Sequence, residues 1–297
     1  MIEKAEPFSV GFHLPGGENF HARIILDFCV SLQHFYRKIS EKIPAAMEVL
    51  EGKQSVLAAL RARHRKFQLV LLKQGSVPAR IREVVEAAEG QAIPIKYVSA
   101  AELDGLTKGR SHGGMAAICS VKPAMDCAEL MTWCGKLQAP ALLLLIEGTE
   151  DAQNLGYTLR TAEALGAHAV LLKKHVWNFD GVAVSRASSG AFERLPLVQV
   201  ENLEKELMPL RRRGITFWGC IGGAKRVLYD ADLAKPVLLA IGGERRGLSG
   251  AMRNLCDGFL RIPMIAGSTS LALSHAACII LAEAIRQRQK NEGLVIS

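Results

Sequence analysis

The chain has 297 residues, 49% hydrophobic and 22% charged, with no long low-complexity tract, which is an ordinary globular composition long enough for about two domains. Its best apolar run, Ala139–Ile146, falls far short of the ~20 residues a membrane span needs. Glu3 and Glu6 interrupt any basic-then-apolar leader pattern, so a cytoplasmic protein with no membrane partner is expected.

The net charge is +8, and residues 41–121 carry 12 basic and 8 acidic groups while residues 139–297 carry 19 and 15. Each segment is therefore +4, whereas 1–40 and 122–138 are balanced. Two basic segments suit a polyanionic partner, although a plain solubility charge has the same sign. Seven cysteines, at 29, 119, 127, 134, 220, 256 and 278, include no C-x-x-C pair. They read as small core residues in a reducing compartment, and no metal is implied.

In chain order, residues 1–43 form an extension: a Gly/Pro-containing stretch, His13–Asn19, then an imperfect helical pattern through Ile24, Ile25, Phe28, Val30, Leu32 and Phe35. From 44 to 121 the text alternates. Pro44–Leu50 and Lys53–Arg63 are predicted helices, the second with Val56, Leu57 and Leu60 at core spacing. Phe67–Leu72 is a predicted strand, Ala79–Glu89 a helix and Ile95–Val98 a strand. Ser99–Leu106 is a short helix that opens with a capping-box pattern, Ser99 and Glu102. Met115–Val121 closes this small α/β unit. Residues 122–138 read as a linker with a short helical stretch.

The second domain, 139–297, opens on strand Ala141–Ile146. It continues through helix Asn154–Leu165, strand Ala169–Leu172, helix Ser185–Ser189, strand Leu197–Gln199, helix Leu203–Arg212, and strands Thr216–Cys220 and Val237–Ile241. A long helix from about Ser270 to Lys290 ends it. Alternating strands and helices predict an α/β fold with a mostly parallel sheet covered on both faces. Ligand sites in such sheets lie at the loops after the strands' carboxyl ends, here Glu147–Asn154 and Gly242–Gly247.

Three blocks carry the chemistry: Asn154–Leu172, Ala240–Ser249 and Ile262–Arg288. In the middle block a buried strand runs into Gly242-Gly243-Glu244-Arg245-Arg246-Gly247, where glycines permit a sharp turn or close approach of a ligand to main-chain groups. It carries neither a Walker lysine nor a dinucleotide fingerprint; alone it could be a plain turn. In the first block Arg160 lies roughly 120° around the helix from Asn154, and with Thr158 and Thr161 could be either a solvated face or a functional one.

Together these blocks resemble the SpoU-type branch of the SPOUT superfamily, the RNA 2′-O-ribose methyltransferases. The first family motif is matched by Asp151…Asn154…Gly156…Arg160-Thr161-Ala162. The second is matched by Gly242–Gly247, and the third by Ile262-Pro263-Met264 with Ser270–Ala276 and Arg286-Gln287. Ser188-Ser189-Gly190-Ala191 resembles a further family segment. Gly52–Leu60 and Ser111–Ala117 resemble the ends of the family's ribosomal-protein-like RNA-binding domain.

The resemblance implies a C-terminal trefoil knot, a homodimer, and S-adenosylmethionine bound by backbone at Gly242, Ile262 and Leu271. Catalytic roles carry over to Arg160, Asn154, Glu244 and Ser270, with Arg160 helping to deprotonate the ribose hydroxyl. The partner implied is structured ribosomal or transfer RNA. Arg61, Arg63, Arg65 and Lys66, with Arg110 and His112 near the Ser111–Gly114 turn, form the candidate RNA surface, and Arg211–Arg213 is a second basic run.

The chain departs from the motifs at Ala272, where the family has Asn, at Arg245 in place of Gly, and at Ala152 in place of Pro. His275 stands in a usually apolar slot and, like His112 and His168, reads first as a structural histidine. Two functions are therefore expected: a working RNA 2′-O-methyltransferase, or a catalytically weakened relative that binds structured RNA.

Overall fold

The computed structural model describes residues 47–107, 110–149, 151–265 and 270–292, all within one compact unit, Ile43–Ser297. The predicted helix of residues 24–35 and the first residues of Pro44–Leu50 lie outside the described residues.

The small layered unit begins with β1 (Met47–Glu51), followed by α1 (Lys53–Ala62), β2 (Phe67–Lys73), α2 (Pro78–Glu89), β3 (Ile95–Val98), α3 (Ala100–Leu106) and β4 (Met115–Ser120). The sequence predicts a helix over Pro44–Leu50, but its described part is a strand. All five residues of β1 pair antiparallel with β4, from Met47 opposite Ser120 to Glu51 opposite Ala116. That partner is some 70 residues away in sequence, so a local window cannot register the pairing that overrides helical propensity.

The other elements follow their local signals. Pro78 opens α2 at a first-turn position where its missing N–H costs nothing. Both bonds of the Ser99–Glu102 capping box form, at 3.2 and 2.6 Å. The sheet order is β1-β4-β2-β3, and α1 and α2 bury Val56, Leu60, Val84 and Ala88 against Leu50, Val70, Leu72 and Met115.

Residues 122–138, predicted to be a linker, carry α4 (Cys127–Cys134), capped reciprocally by Asp126 and Glu129. This segment is docked. Leu130 is fully buried against Leu143, Val198 and Leu207, and Met125 bridges Val198 in parallel register.

The larger layer contains β5 (Leu142–Ile146), α5 (Ala152–Ala164), β6 (Ala169–Lys173), α6 (Lys174–Trp177), α7 (Gly181–Ala187), α8 (Ala191–Arg194), β7 (Leu197–Val200) and α9 (Leu203–Arg212). It continues with β8 (Thr216–Cys220), β9 (Arg226–Val227), β10 (Val237–Ile241), α10 (Gly250–Leu255), β11 (Gly258–Arg261) and α11 (Leu273–Glu292). Its seven strands among the described residues lie in the order β7-β6-β5-β10-β8-β11-β9, each paired parallel to its neighbours. β5 and β10 are buried at every residue, so they read as unbroken apolar runs rather than alternating ones. One core packs α5 and α11 on one face, through Leu155, Leu159, Ala277, Ile280 and Leu281; the other packs α9 and α10 through Leu207, Leu210 and Met252. Among the described residues no helix is long and apolar enough to cross a membrane.

Candidate active site at the switch of the parallel sheet

β5 and β10 are neighbours in the sheet, but their connections leave in opposite directions. The chain after β5 crosses through α5 to β6, and the chain after β10 crosses through α10 to β11 on the far side of β8. A crevice forms where loops diverge in this way.

The two loops are pressed together by their glycines. A Cβ on Gly148 would lie 3.2 Å from the Gly243 Cα, and one on Gly242 only 2.0 Å from the Gly247 carbonyl carbon. Only glycine fits at Gly242. The loop closes on itself through Gly247 N–H donating to the Gly243 carbonyl at 2.8 Å, with Gly247 at φ +60°. The close contact at Gly242 requires glycine, and the positive φ at Gly247 favours it.

Beside this loop lies a cavity of about 480 Å³, within the range of small-molecule sites. Its walls come from the ends of β8, β10 and β11 and the start of α11: Gly222, Gly242, Leu260, Ile262, Leu271 and Ile280 among others. A Cβ on Gly222 or Gly223 would meet nothing within 4 Å, so that rim of main chain is open. Glu244 is the sole carboxylate among the described lining residues. Cys220 also lines the cavity, but burial pushes its thiol up to about 12, which rules out a ready thiolate nucleophile.

The expected cofactor positions Gly242, Ile262 and Leu271 all line this cavity, as do Glu244 and Ser270. Asn154 reaches it through Glu244: its Nδ2 donates to Glu244 Oε1 at 2.9 Å. Asn154 is itself set at the start of α5 by Asp151, whose Oδ1 accepts the Asn154 N–H at 2.7 Å. Arg160 stands apart. It is exposed on α5, does not line the cavity, and has no hydrogen bond or ion pair among the described residues. Arg245 and Arg246 are exposed at the tip of the glycine loop.

Two members of the expected RNA surface are corrected. Arg65 is no surface cation: its side chain is fully buried between Glu193 and Glu48. His112 is buried too, its Nδ1 accepting the Gly114 N–H at 3.0 Å and its Nε2 within 2.9 Å of Asp104 Oδ1. Arg65 is claimed by a residue 128 positions away and His112 by nearby Asp104 and Gly114, neither of which a count of consecutive basic residues reveals. Arg63 and Lys66 are exposed, and Arg61 is exposed while pairing with Glu83 at 2.9 Å. Arg110 opens a 3₁₀ turn, Arg110–His112, but its side chain lies outside the described residues. In the second basic run Arg211 pairs with Asp257, and Arg213 donates to the Met131 carbonyl at 2.8 Å, leaving Arg212 exposed.

His168 is structural: its Nδ1 accepts the Leu142 N–H at 3.0 Å, and burial lowers its pKa. His275 is exposed. Of the described cysteines, Cys119 is buried, Cys127, Cys134, Cys220 and Cys256 are half-buried, and Cys278 is exposed. No cluster of three or more His, Cys, Asp or Glu suited to a metal stands among the described residues.

One important residue escapes a motif reading. Glu147, buried just after β5, accepts the Ser249 N–H at 2.8 Å on one oxygen and takes Lys173 Nζ at 3.2 Å on the other. It ties the loop after β5 to the loop after β10. The available signal was a lone carboxylate directly following five apolar strand residues, where burial demands a partner.

A parallel α/β sheet with a glycine-built cavity at its switch point is the arrangement in which this class of fold binds its small-molecule ligands. Residues 141–282 match the SpoU rRNA Methylase family, and residues 49–124 match the RNA 2′-O ribose methyltransferase substrate binding domain. The chain belongs to the SpoU rRNA methylase family.

Among similar proteins is the 23S rRNA (guanosine-2′-O-)-methyltransferase RlmB of Xanthomonas campestris pv. campestris, 36% identical over 219 residues, covering 74% of this chain and 88% of that protein. RlmB of Pseudomonas putida is 31% identical over 245 residues, covering 82% and 98%. Among solved structures, the SpoU methyltransferase AviRb from Streptomyces viridochromogenes, in complex with the cofactor AdoMet, superimposes with a TM-score of 0.69 at 26% identity, covering 83% of this chain and 92% of that one.

Proposed function

We propose that this protein transfers a methyl group from S-adenosylmethionine to the ribose 2′-hydroxyl of a guanosine in 23S ribosomal RNA. The observation that carries this reading is the cavity beside Gly242–Gly247, built where only glycine fits and lined by residues of the second and third motifs. The family membership and the named activity of the RlmB relatives support the reaction and the RNA.

The residues present fit S-adenosylmethionine. Leu260, Ile262, Leu271 and Ile280 offer an apolar slot for a flat base, open main chain at Gly222 and Gly223 offers hydrogen-bonding edges, and Glu244 is the one lining carboxylate among the described residues. The bound cofactor supplies an already activated sulfonium methyl group. Gly242, Ile262 and Leu271 would hold it through their main chain. Asn154, Glu244 and Ser270 would shape the pocket at its mouth, and Arg160 would help deprotonate the 2′-hydroxyl by stabilising the developing alkoxide with its N–H groups, the proton passing to solvent, or would grip the adjoining phosphate.

In this reading residues 139–297 form the methyltransferase domain, with a C-terminal trefoil knot through the cavity loops. Residues 44–121 form a ribosomal-protein-like RNA-binding domain, 122–138 a connector and 1–43 an N-terminal extension. The working form is a homodimer. Exposed Arg61, Arg63 and Lys66 contribute phosphate contacts, so RNA affinity falls steeply with salt.

One observation favours a weakened enzyme. Ala272, at the edge of the cavity loops, presents no polar group where the motif expects an amide. Mapping ribose methylation of 23S RNA by mass spectrometry, with and without the protein, decides between the two. Appearance of one 2′-O-methylguanosine supports the enzyme; its absence together with no calorimetric binding of S-adenosylmethionine at millimolar concentration sinks it.

A further inference from the structure

The small layer and the methyltransferase layer meet through buried charge rather than through a slack connector. Arg65, which follows α1, donates from Nε and Nη2 to both oxygens of Glu193 on α8, at 2.7 and 2.9 Å. Its Nη1 donates to Glu48 Oε1 at 2.5 Å and to the Ser120 carbonyl at 2.7 Å. The Arg65 and Glu193 side chains are 0% and 1% exposed. Next to them Lys122 donates to the carbonyls of Phe192, Glu193 and Leu195 at the end of α8.

A second contact lies along α7. Arg186 pairs with the buried carboxylate of Glu51 on β1 and donates to Ser111 Oγ at 2.7 Å. Between the two contacts, Gly190 sits at φ +83° against α1: a Cβ there would come within 2.6 Å of the Ala58 Cβ and 2.8 Å of the Gln54 carbonyl oxygen. The segment Ser188–Ala191, singled out in the sequence without a role, is the seat on which α1 rests.

The joint continues to the candidate site. α7 and α8 both pack against α5, the helix of Asn154 and Arg160, and a Cβ on Gly156 of α5 would strike the Ala187 Cβ at 2.4 Å. Parting the domains would leave Arg65 and Glu193 buried or half-solvated without their partners. That is strongly unfavourable for a bidentate pair whose geometry is already satisfied.

We propose that Arg65 is a positioning residue: its bidentate pairing with Glu193 locks the 44–121 domain onto α8 and so fixes the distance between bound RNA and the methyl-transfer site. The lock stands on the geometry alone; its effect on RNA rests on the functional reading above. A fixed spacing selects a folded RNA whose recognition element and target ribose already lie at that distance. Misplacement of a reacting group by about 1 Å is enough to cost ~100-fold in rate.

The test measures spacing and chemistry separately. Spin labels at Gln68→Cys on β2 and Glu204→Cys on α9, in a Cys278→Ser background, report the inter-domain distance in the whole protein. The variants are Arg65→Met, the conservative Arg65→Lys, and Ala58→Trp, which wedges the seat at Gly190 without touching the charges. Wild type should give one narrow distance. Arg65→Met and Ala58→Trp should broaden it and lower kcat/KM for unmodified 23S RNA about 100-fold, leaving S-adenosylmethionine affinity within about twofold. Arg65→Lys should fall between. A broad distance in wild type, narrow distances in both disruptive variants, or full methylation by a variant with a broadened distance would each overturn the proposal. If wild type itself leaves the RNA unmethylated, the functional reading fails while the distances still decide the lock.

Discussion

Asn154 and Glu244, 90 residues apart, hold each other at 2.9 Å and together hold the start of the last helix. Glu244 Oε1 accepts the Leu273 N–H at 3.1 Å, and Asn154 Oδ1 accepts the Ser274 N–H at 3.3 Å. The first N–H groups of a helix have no partner within it, and here residues from two other motifs supply one. Three sequence blocks thus converge on a helix N-terminus that also lines the cavity through Leu271 and Leu273.

Glu244→Ala removes the acceptor for both Asn154 and Leu273. Stability should fall by about 1 kcal/mol, the net worth of hydrogen bonds whose partners water can reach once the carboxylate is gone. Urea unfolding followed by circular dichroism measures it, and calorimetry should show weaker binding of S-adenosylmethionine because the cavity wall loosens. Unchanged stability and affinity would mean that the convergence is incidental.

Ala272 accepts the first helical bond of α11, from the Ala276 N–H at 3.0 Å, and so occupies the N-cap position. The His275 N–H, three residues on, has no acceptor among the described residues. Ala272→Asn places an amide oxygen within reach of that donor and should add about 1 kcal/mol of stability. A gain in single-turnover methylation beside the gain in stability would identify residue 272 as the point that tempers activity. A gain in stability alone would confine its role to capping.

What the sequence made legible was whatever is local or set by chemistry at fixed spacing. β10 is matched residue for residue because a five-residue run buried on both faces has to be continuously apolar. The glycine loop was visible because Gly242 has no room for a Cβ and Gly247 takes a positive φ. Long-range pairing was hidden. β1 looked helical because its partner β4 lies far along the chain, and β11, with only four residues and a glycine, shows no pattern of its own. Arg65 read as part of a basic surface run because Glu193, which claims it, is 128 residues away. Residues 122–138 read as a connector because Leu130 and Met125 are apolar for the sake of a core that the local sequence does not contain.

Lys122 gives a pH dependence whose sign can be worked out. Burial lowers its pKa from 10.5 to about 7, against the pull of Glu193. Between these two values the unfolded chain holds a proton that the folded chain sheds, so stability should rise as pH is raised from about 7 towards 10 and be lost again as pH falls. Lys122→Met removes this dependence. Urea midpoints for the two proteins at several pH values should draw apart in favour of wild type as pH rises. A constant difference would show that the three carbonyls around Nζ keep the ammonium charged throughout.

Arg160 separates stability from chemistry. It is exposed and without a hydrogen bond or ion pair among the described residues, so Arg160→Ala should change the unfolding free energy by less than about 0.5 kcal/mol, as at surface sites free of special contacts. It does not line the cavity, so affinity for S-adenosylmethionine should hold. Methyl transfer should nonetheless fall by roughly 100- to 1,000-fold if the guanidinium stabilises the alkoxide that develops as the ribose hydroxyl loses its proton to solvent, the range for loss of one such donor. Arg160→Lys keeps the charge but loses the planar fork, so it should restore little where a phosphate is gripped bidentately. The measurement is a single-turnover methylation rate on unmodified 23S RNA at saturating cofactor. A rate within twofold of wild type in Arg160→Ala would remove this residue from the chemistry and leave its exposure as that of an ordinary solvated helix face.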